Sequence, residues 1–374
     1  MDQHNYVGID VSARSLEAAL VGPSHRSTTA SFANSPAGHR QLIKWATKRG
    51  HLAQVCLEAT GVYSLEIALA LHHHPKTKVM VINPKAIHNY AGATMQRAKT
   101  DQVDARLILD YGQRMPFACW QPPSKEVLQL QAITRRVSQL KVELNREANR
   151  LHAEGHRTST TDLIARDIQV NLRHLERRMA HLEEKAVALV LSVQHLRALF
   201  QRLLSIPGIG ETSALRLLAE LAVLPEGMKP PQWVAHAGLD PRPHDSGQSV
   251  HRPRAITKAG NKYLRAALYM PALVAIRHQP NVKAFYDQLI AAGKKPLQAI
   301  TAVMRKLLHA IWVYGNMTRI STAKNFTRWP HKSLDFKKSI SHPNWANYSV
   351  PLTAGATSSQ LGRDDVAPAD PGRK

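Results

Sequence analysis

Aromatic residues make up only 6% of this 374-residue sequence, and cysteine occurs twice, as Cys56 and Cys119, far apart in the chain. With so few aromatics, no stacking motif of the RNA-recognition kind is visible. Two distant thiols and the lack of an opening signal peptide fit a reducing cytoplasm. Long hydrophobic runs are also missing. The longest near the C-terminal half, AALYMPALVAI, contains Pro271 and is too short to span a bilayer, so no membrane role is expected. Glycine-rich phosphate loops are absent after the first apolar run, where Asp10 is followed by Val11 and Ser12; this argues against an actin-like ATPase.

Acidic charge is scarce as well, with 27 Asp and Glu against 50 Lys and Arg, a formal net charge of +23 and a pI near 10.3. Such an excess points to a polyanionic partner, most simply nucleic acid. Residues 231–350 hold 18 Lys and Arg against 4 Asp and Glu, a net of +14, whereas residues 1–115 hold 13 against 8. The basic C-terminal region is therefore expected to hold phosphates.

Against that background four acids stand out: Asp10 in VGIDVS, Glu58 in VCLEATGVY, and Asp101 with Asp104 in KTDQVDAR. NYVGID and AQVCLE read as buried strands that each end in an acid. The stretch TDQVDARLILDYGQR has helical spacing, with Thr100 or Asp101 as N-cap, and residues three apart share a helix face. Alone, each acid reads as a turn former, a cap or an ion-pair partner. Together they form a hard oxygen set suited to Mg²⁺ or Mn²⁺. His72, His73 and His74 form a rival cluster, but they end an amphipathic helix with no spaced partner and read as a solvated helix end.

Residues 5–115 alternate strands with helices, which implies an α/β sheet, with Asp10 on its first strand and Glu58 on its fourth. Ligands in such folds collect at the carboxyl ends of strands. Between residues 121 and 204 the character changes. Ile168, Leu172, Leu175, Met179, Leu182, Ala186, Leu189, Val193, Leu196 and Phe200 recur four and three apart without a break, a heptad seam. Leu130, Ile133, Val137, Leu140 and Leu144 form a similar row before it. Two long helices then pair either as an antiparallel hairpin in one chain or with another chain.

LLSIPGIGETSALRLLAEL resembles the hairpin of helix-hairpin-helix DNA-binding modules. Gly208 and Gly210 would let backbone N–H groups approach a phosphate there; the plain reading is a tight helical turn. The loop AGLDPRPHDSGQS carries Ser246 and Ser249 and is followed by Arg252 and Arg254, and the next helix carries Lys258, Lys262 and Arg265. The basic residues, with Lys99 beside the acids, are candidate nucleic-acid contacts. From about residue 333 no apolar period survives, and a disordered tail over 333–374 is expected.

With GID at Asp10, EATGVY at Glu58, VINP at Asn83, KTDQVDAR, SIPGIG, the Ser246 loop and KAGNKYLRAALYMPA in this order, the sequence resembles the DEDD transposases of bacterial insertion sequences. That group includes the Piv DNA invertases and the bridge-RNA-guided recombinases. The likeness runs from Tyr6 to about Arg319. It implies α/β plus α architecture. An RNase H-like (RuvC-type, Holliday-junction-resolvase-like) domain over 1–120 is followed by a coiled-coil helical segment over 121–204 and a transposase domain over 205–332.

The resemblance also implies roles. Asp10, Glu58, Asp101 and Asp104 would be catalytic and metal-binding, holding two Mg²⁺ ions. Ser246 would be the nucleophile, forming a covalent phosphoserine with DNA and freeing a 3′ hydroxyl. Element ends and target DNA, a structured guide RNA, and a homo-oligomer, dimer or tetramer, are the implied partners, in a cytoplasmic, nucleoid-associated setting. The alternative is a resolvase-like metal-dependent endonuclease without a covalent intermediate.

Overall fold

The computed structural model describes residues 4–95, 101–157, 162–225, 227–241, 245–246, 250–251 and 256–316, with the backbone alone at 101–102, 245–246, 250–251 and 315–316. The described residues divide into two compact units, one up to Pro122 and one from Pro123 onward.

The first unit is built on five strands: β1 His4–Val11, β2 Ser15–Val21, β3 Ser27–Ala33, β4 Leu52–Glu58 and β5 Thr77–Ile82. Their order is β3-β2-β1-β4-β5. β1, β2 and β3 pair antiparallel, while β1 pairs β4 and β4 pairs β5 in parallel. The parallel pairs need crossovers. These are α1 Pro36–Ala46, which Ser35 caps at the Gly38 N–H, and α2 Val62–His72. Two further helices follow β5, α3 Pro84–Ala93 and α4 Asp101–Arg114.

Alternation along the strands sorts side chains onto two faces. Val7, Ile9, Val11, Leu16, Leu20, Val55 and Leu57 pack with Leu42 and Ala46 of α1 and Ile67 and Leu71 of α2. The opposite face carries Ala19, Cys56, Met80 and Ile82, which meet Ala105, Leu107, Ile108 and Leu109 of α4. Two glycines let α4 lie close. A Cβ on Gly8 would stand 2.4 Å from the Ala105 carbonyl oxygen and 2.3 Å from the Leu109 nitrogen. A Cβ on Gly112 would collide with Cys56 Sγ. Helix α3, absent from the alternation read in the sequence, starts where Asn83 accepts from the Lys85 N–H at 2.9 Å and Pro84 fills the first helical position. The histidines at 72–74 do end a helix: His73 Nδ1–H donates to the Leu69 carbonyl, and the His72 ring meets Trp120 edge-on.

The second unit is helical apart from one small arm. It begins with α5 Lys125–Glu154 and α6 Asp162–Ser192. Leu140 and Leu144 of α5 pack with Leu172, Leu175 and Met179 of α6, and Val127 and Leu130 share a core with Ala186 and Val190. Early α5 meets late α6, so the two helices form an antiparallel hairpin within the chain. Helices α7 Gln194–Leu204, α8 Glu211–Leu221, α9 Pro230–His236, α10 Lys262–His278, α11 Pro280–Ala291 and α12 Pro296–Asn316 complete the unit. Among the described residues, no single helix is long and apolar enough to cross a membrane.

Glu220 of α8, only 2% exposed, gathers four donors inside this core. Arg135 Nε and Nη2 donate to it at 2.8 and 2.9 Å, Asn261 Nδ2 at 2.6 Å and Gln131 Nε2 at 3.2 Å. A buried carboxylate is tolerable only when paired and hydrogen-bonded in this way. The network ties α5 and α8 to Asn261, whose Oδ1 caps α10 by accepting from the Tyr263 and Leu264 N–H groups.

Candidate functional site

Asp10 and Glu58 lie at one level near the carboxyl ends of neighbouring parallel strands. Ile9 pairs with Leu57, and each acid is the next residue of its strand. Directly paired residues of a parallel ladder point to the same face, with strands about 4.8 Å apart. That face is the one α4 covers, because Gly8 and Cys56, two residues back on each strand, touch it. Both acids are half-buried.

On the other side of β1, Asp10 pairs with Glu17 of β2. Ser31 Oγ of β3 donates to Glu17 Oε1 at 2.5 Å, holding that carboxylate in place. Three acids therefore stand at the same level on three adjacent strands. Like charges directly across a ladder repel unless they are compensated. Glu17 escaped the reading of the sequence, although the short turn over residues 12–14 already fixes its register opposite Asp10.

The helical acids are placed less completely. Asp101 opens α4 and Asp104, half-buried, precedes Ala105, whose carbonyl lies against Gly8. Only the backbone of Asp101 is described. Among the described residues, no three Asp, Glu, His or Cys side chains gather closely enough to hold an ion. The Asp10–Glu58 pair nevertheless fits Mg²⁺ or Mn²⁺, since such ions take one or two carboxylates, keep several waters and finish their shell on substrate phosphates.

Farther along α4, Asp110 accepts from Tyr90 Oη at 2.6 Å and from Arg114 Nε at 2.7 Å. The two hydrogen bonds hold its carboxyl below the usual carboxylate range, despite the opposing effect of desolvation. This latch joins α3 to α4 on either side of the segment that carries Lys99, which lies outside the described residues.

In the second unit, Ser246 lies on a two-residue strand, β6 Asp245–Ser246, paired antiparallel with β7 Val250–His251. Ser246 pairs with Val250. The arm is rooted by a bridge between Pro241 and Ile256 and by Thr257, which donates its N–H to the Asp240 carbonyl at 2.9 Å and its hydroxyl to Asp240 Oδ1 at 2.7 Å. Ser249, Arg252 and Arg254 lie outside the described residues.

The other basic and glycine candidates divide by environment. Lys258 and Lys262 are exposed. Arg265 is 7% exposed and donates from Nη1 to the Ala237 carbonyl at 2.7 Å. Its guanidinium fastens the end of α9 and does not face solvent. Gly208, with φ of 94°, sits where a Cβ would come within 2.9 Å of the Pro271 carbonyl of α10, so close helix packing already requires it. Gly210 has open space around it and precedes α8.

A family profile described as Transposase matches residues 7–154, and one described as Transposase IS116/IS110/IS902 family matches residues 200–287. The pilin gene-inverting protein of Moraxella bovis is 32% identical over 311 residues, covering 81% of this chain and 93% of its own length. The chain belongs to the DEDD transposase family of bacterial insertion sequences. Two further relatives of this transposase are the Moraxella lacunata pilin gene-inverting protein, at 32% identity over 81% of this chain and 93% of its own length, and an uncharacterized 43.6 kDa protein of insertion element IS110 from Streptomyces coelicolor. The latter is 26% identical over 41% of this chain and 37% of its own length. Within this transposase the first profile spans Asp10, Glu58, Asp101 and Asp104, and the second spans Ser246.

Proposed function

We propose that this transposase is a DNA recombinase that cuts and rejoins strands through Ser246, with Asp10, Glu58, Asp101 and Asp104 holding two divalent metal ions, Mg²⁺ or Mn²⁺. The observation that carries the reading is the side-by-side placement of Asp10 and Glu58 at the sheet end, inside a segment matched by the transposase profile. The strand order β3-β2-β1-β4-β5 with α4 across β1 supports an RNase H-like fold for the domain.

In the proposed reaction Ser246 Oγ loses its proton and attacks a DNA phosphorus. The bond from phosphorus to the 3′ oxygen breaks, and that oxygen leaves as a hydroxyl after taking up a proton. The 5′ side stays on the serine as a phosphodiester. A 3′ hydroxyl from another strand then attacks the same phosphorus and returns the serine hydroxyl, so the bond count is unchanged and no outside energy source is required. When bound, divalent ions favour the deprotonated attacking oxygen and offset charge on the leaving one.

Arg252, Arg254, Lys258 and Lys262, in a region of net positive charge, serve as phosphate contacts with Lys99, consistent with counterion-release binding. We assign the partners as element-end and target DNA, with a structured guide RNA, and the working form as a homo-oligomer in which the acids of one protomer serve the serine of another. The setting is cytoplasmic.

The test is a strand-exchange assay with Mg²⁺ and the element's end sequences. Wild-type protein is expected to form a denaturant-resistant protein–DNA adduct and recombinant product, and Ser246→Ala neither. Cleavage that survives in Ser246→Ala, without an adduct or recombinant product, would instead establish a resolvase-like hydrolase.

A further inference from the structure

Asn34 follows β3 and is not one of the acids, yet its amide joins the chain segments that leave two of them. Its Nδ2 donates to the Ser12 carbonyl at 2.8 Å and to the Tyr63 carbonyl at 3.1 Å. Its backbone N–H donates to the Arg14 carbonyl at 2.9 Å. Ser12 lies two residues beyond Asp10, and Tyr63 five beyond Glu58 on the first turn of α2. Oδ1 accepts from His39 Nε2 at 2.8 Å. A carbonyl oxygen only accepts, so His39 carries its proton on Nε2 there. Both N–H donors and the carbonyl oxygen of the amide are thus engaged, by β1's exit, by α2's start and by α1.

Between Glu58 and the core-packed Ser64 and Ile67 of α2, packing does little of this work. Val62 is 76% exposed and Tyr63 is 51% exposed, and a Cβ on Gly61, where φ is 72°, would meet nothing within 4 Å. The turn leaving Glu58 therefore depends on hydrogen bonds for its position, and the one from Asn34 links it to the turn leaving Asp10. His39, 6% exposed, supplies a fixed base for the amide. Burial pulls its pKa below 6.5 against a smaller opposing pull from the Glu66 carboxylate, which favours a neutral ring.

We infer that Asn34 is a positioning residue that sets the separation of the Asp10 and Glu58 carboxylates by clamping the turns that follow them. The inference rests on those two acids holding a metal. Mg²⁺ demands near-ideal octahedral geometry, so a shift of one carboxylate turn weakens binding. Substitutions of residues that orient metal ligands typically cost about 10- to 100-fold in affinity or activity.

Two variants separate the bonds. Asn34→Asp keeps an acceptor for His39 and offers no hydrogen to the Ser12 and Tyr63 carbonyls, while Asn34→Ala removes all three interactions. The readout is Mn²⁺ binding to the full chain, followed by the electron-spin-resonance signal of the free ion, alongside the melting temperature. Both variants are expected to bind Mn²⁺ about 10-fold or more weakly, with melting within a few degrees of wild type. Asp10→Asn serves as the reference for lost binding. If both variants bind within about twofold of wild type, or weaken only in step with a large fall in melting temperature, the clamp is overturned while the metal site stands. If wild type binds no Mn²⁺, or Asp10→Asn binds as wild type does, the metal site itself fails.

Discussion

Asp10 and Glu58 sit side by side on adjacent parallel strands, each one residue beyond the paired Ile9 and Leu57, and both face helix α4. Forty-seven residues separate them in sequence between positions 10 and 58, and the ladder brings them to one sheet end. Helix α4 lies close over this face of the sheet, and that approach depends on glycine.

Gly8→Ala is expected to destabilise the first unit by about 3 kcal/mol or more, because the added methyl meets backbone atoms that cannot rotate away. Its nearest neighbours would be the Leu109 nitrogen at 2.3 Å and the Ala105 oxygen at 2.4 Å. Gly112→Ala meets a side chain, Cys56 Sγ, so Cys56→Ala should recover part of its loss while doing nothing for Gly8→Ala. Chemical denaturation of the four variants checks both statements. Equal rescue of both glycine variants would contradict the assigned contacts.

The two thiols are expected to differ in reactivity. Burial pushes the Cys56 thiol up to about 12, whereas Cys119 is exposed. The thiolate is the reactive form. A disulfide reagent near pH 8 should titrate one thiol per native chain and two in denaturant, with the native signal lost in Cys119→Ser.

Much of this arrangement is legible in the sequence. The apolar runs ending in Asp10 and Glu58 mark two strands, because alternation and a terminal acid are local signals. The heptad rows likewise mark the long helices, and Leu140 and Leu144 pack with Leu172 and Leu175 of the same chain. Register is harder to read. Glu17 looks like an ordinary strand residue until the turn at 12–14 is used to count it opposite Asp10. Helix α3 was obscured because VINP ends a strand, although Asn83 and Pro84 form a cap and first-turn pair. Arg265 reads as a surface cation; only tertiary packing shows that it is buried on the Ala237 carbonyl.

Glu220→Ala should be among the most damaging substitutions in the second unit, at about 3 kcal/mol or more, since it strips a buried carboxylate from Arg135, Asn261 and Gln131. Asn261 would also lose the contact that steadies the α10 cap. Denaturation should show this loss, with Glu220→Gln intermediate. A change under about 0.5 kcal/mol, the range of ordinary surface substitutions, would contradict the network's importance.

Stability should fall on mild acidification. Burial is the main cause holding His39, His236 and His309 below the ordinary value of 6.5; Glu220 opposes it at His236, and Arg305 and Lys306 add to it at His309. The unfolded chain takes up protons near pH 6.5 and the folded chain only at lower pH, so the stabilisation is present above 6.5 and is lost as pH falls below it. Melting at pH 7.5, 6.5 and 5.5 should fall in that order, and His309→Asn should flatten the slope. A rising or flat profile in wild type would contradict the burial of these rings.

The most direct measurement of the central claim is iron-mediated chain cleavage. Fe²⁺ substituted for Mg²⁺, with ascorbate and peroxide, generates radicals that cut backbone beside a bound ion. Mass spectrometry of the fragments should place the cuts next to Asp10 and Glu58, and excess Mg²⁺ or the Asp10→Asn substitution should suppress both together. Cuts at only one of the two strands, cuts elsewhere in the chain, or cuts unaffected by Asp10→Asn would contradict a metal centre shared by these carboxylates.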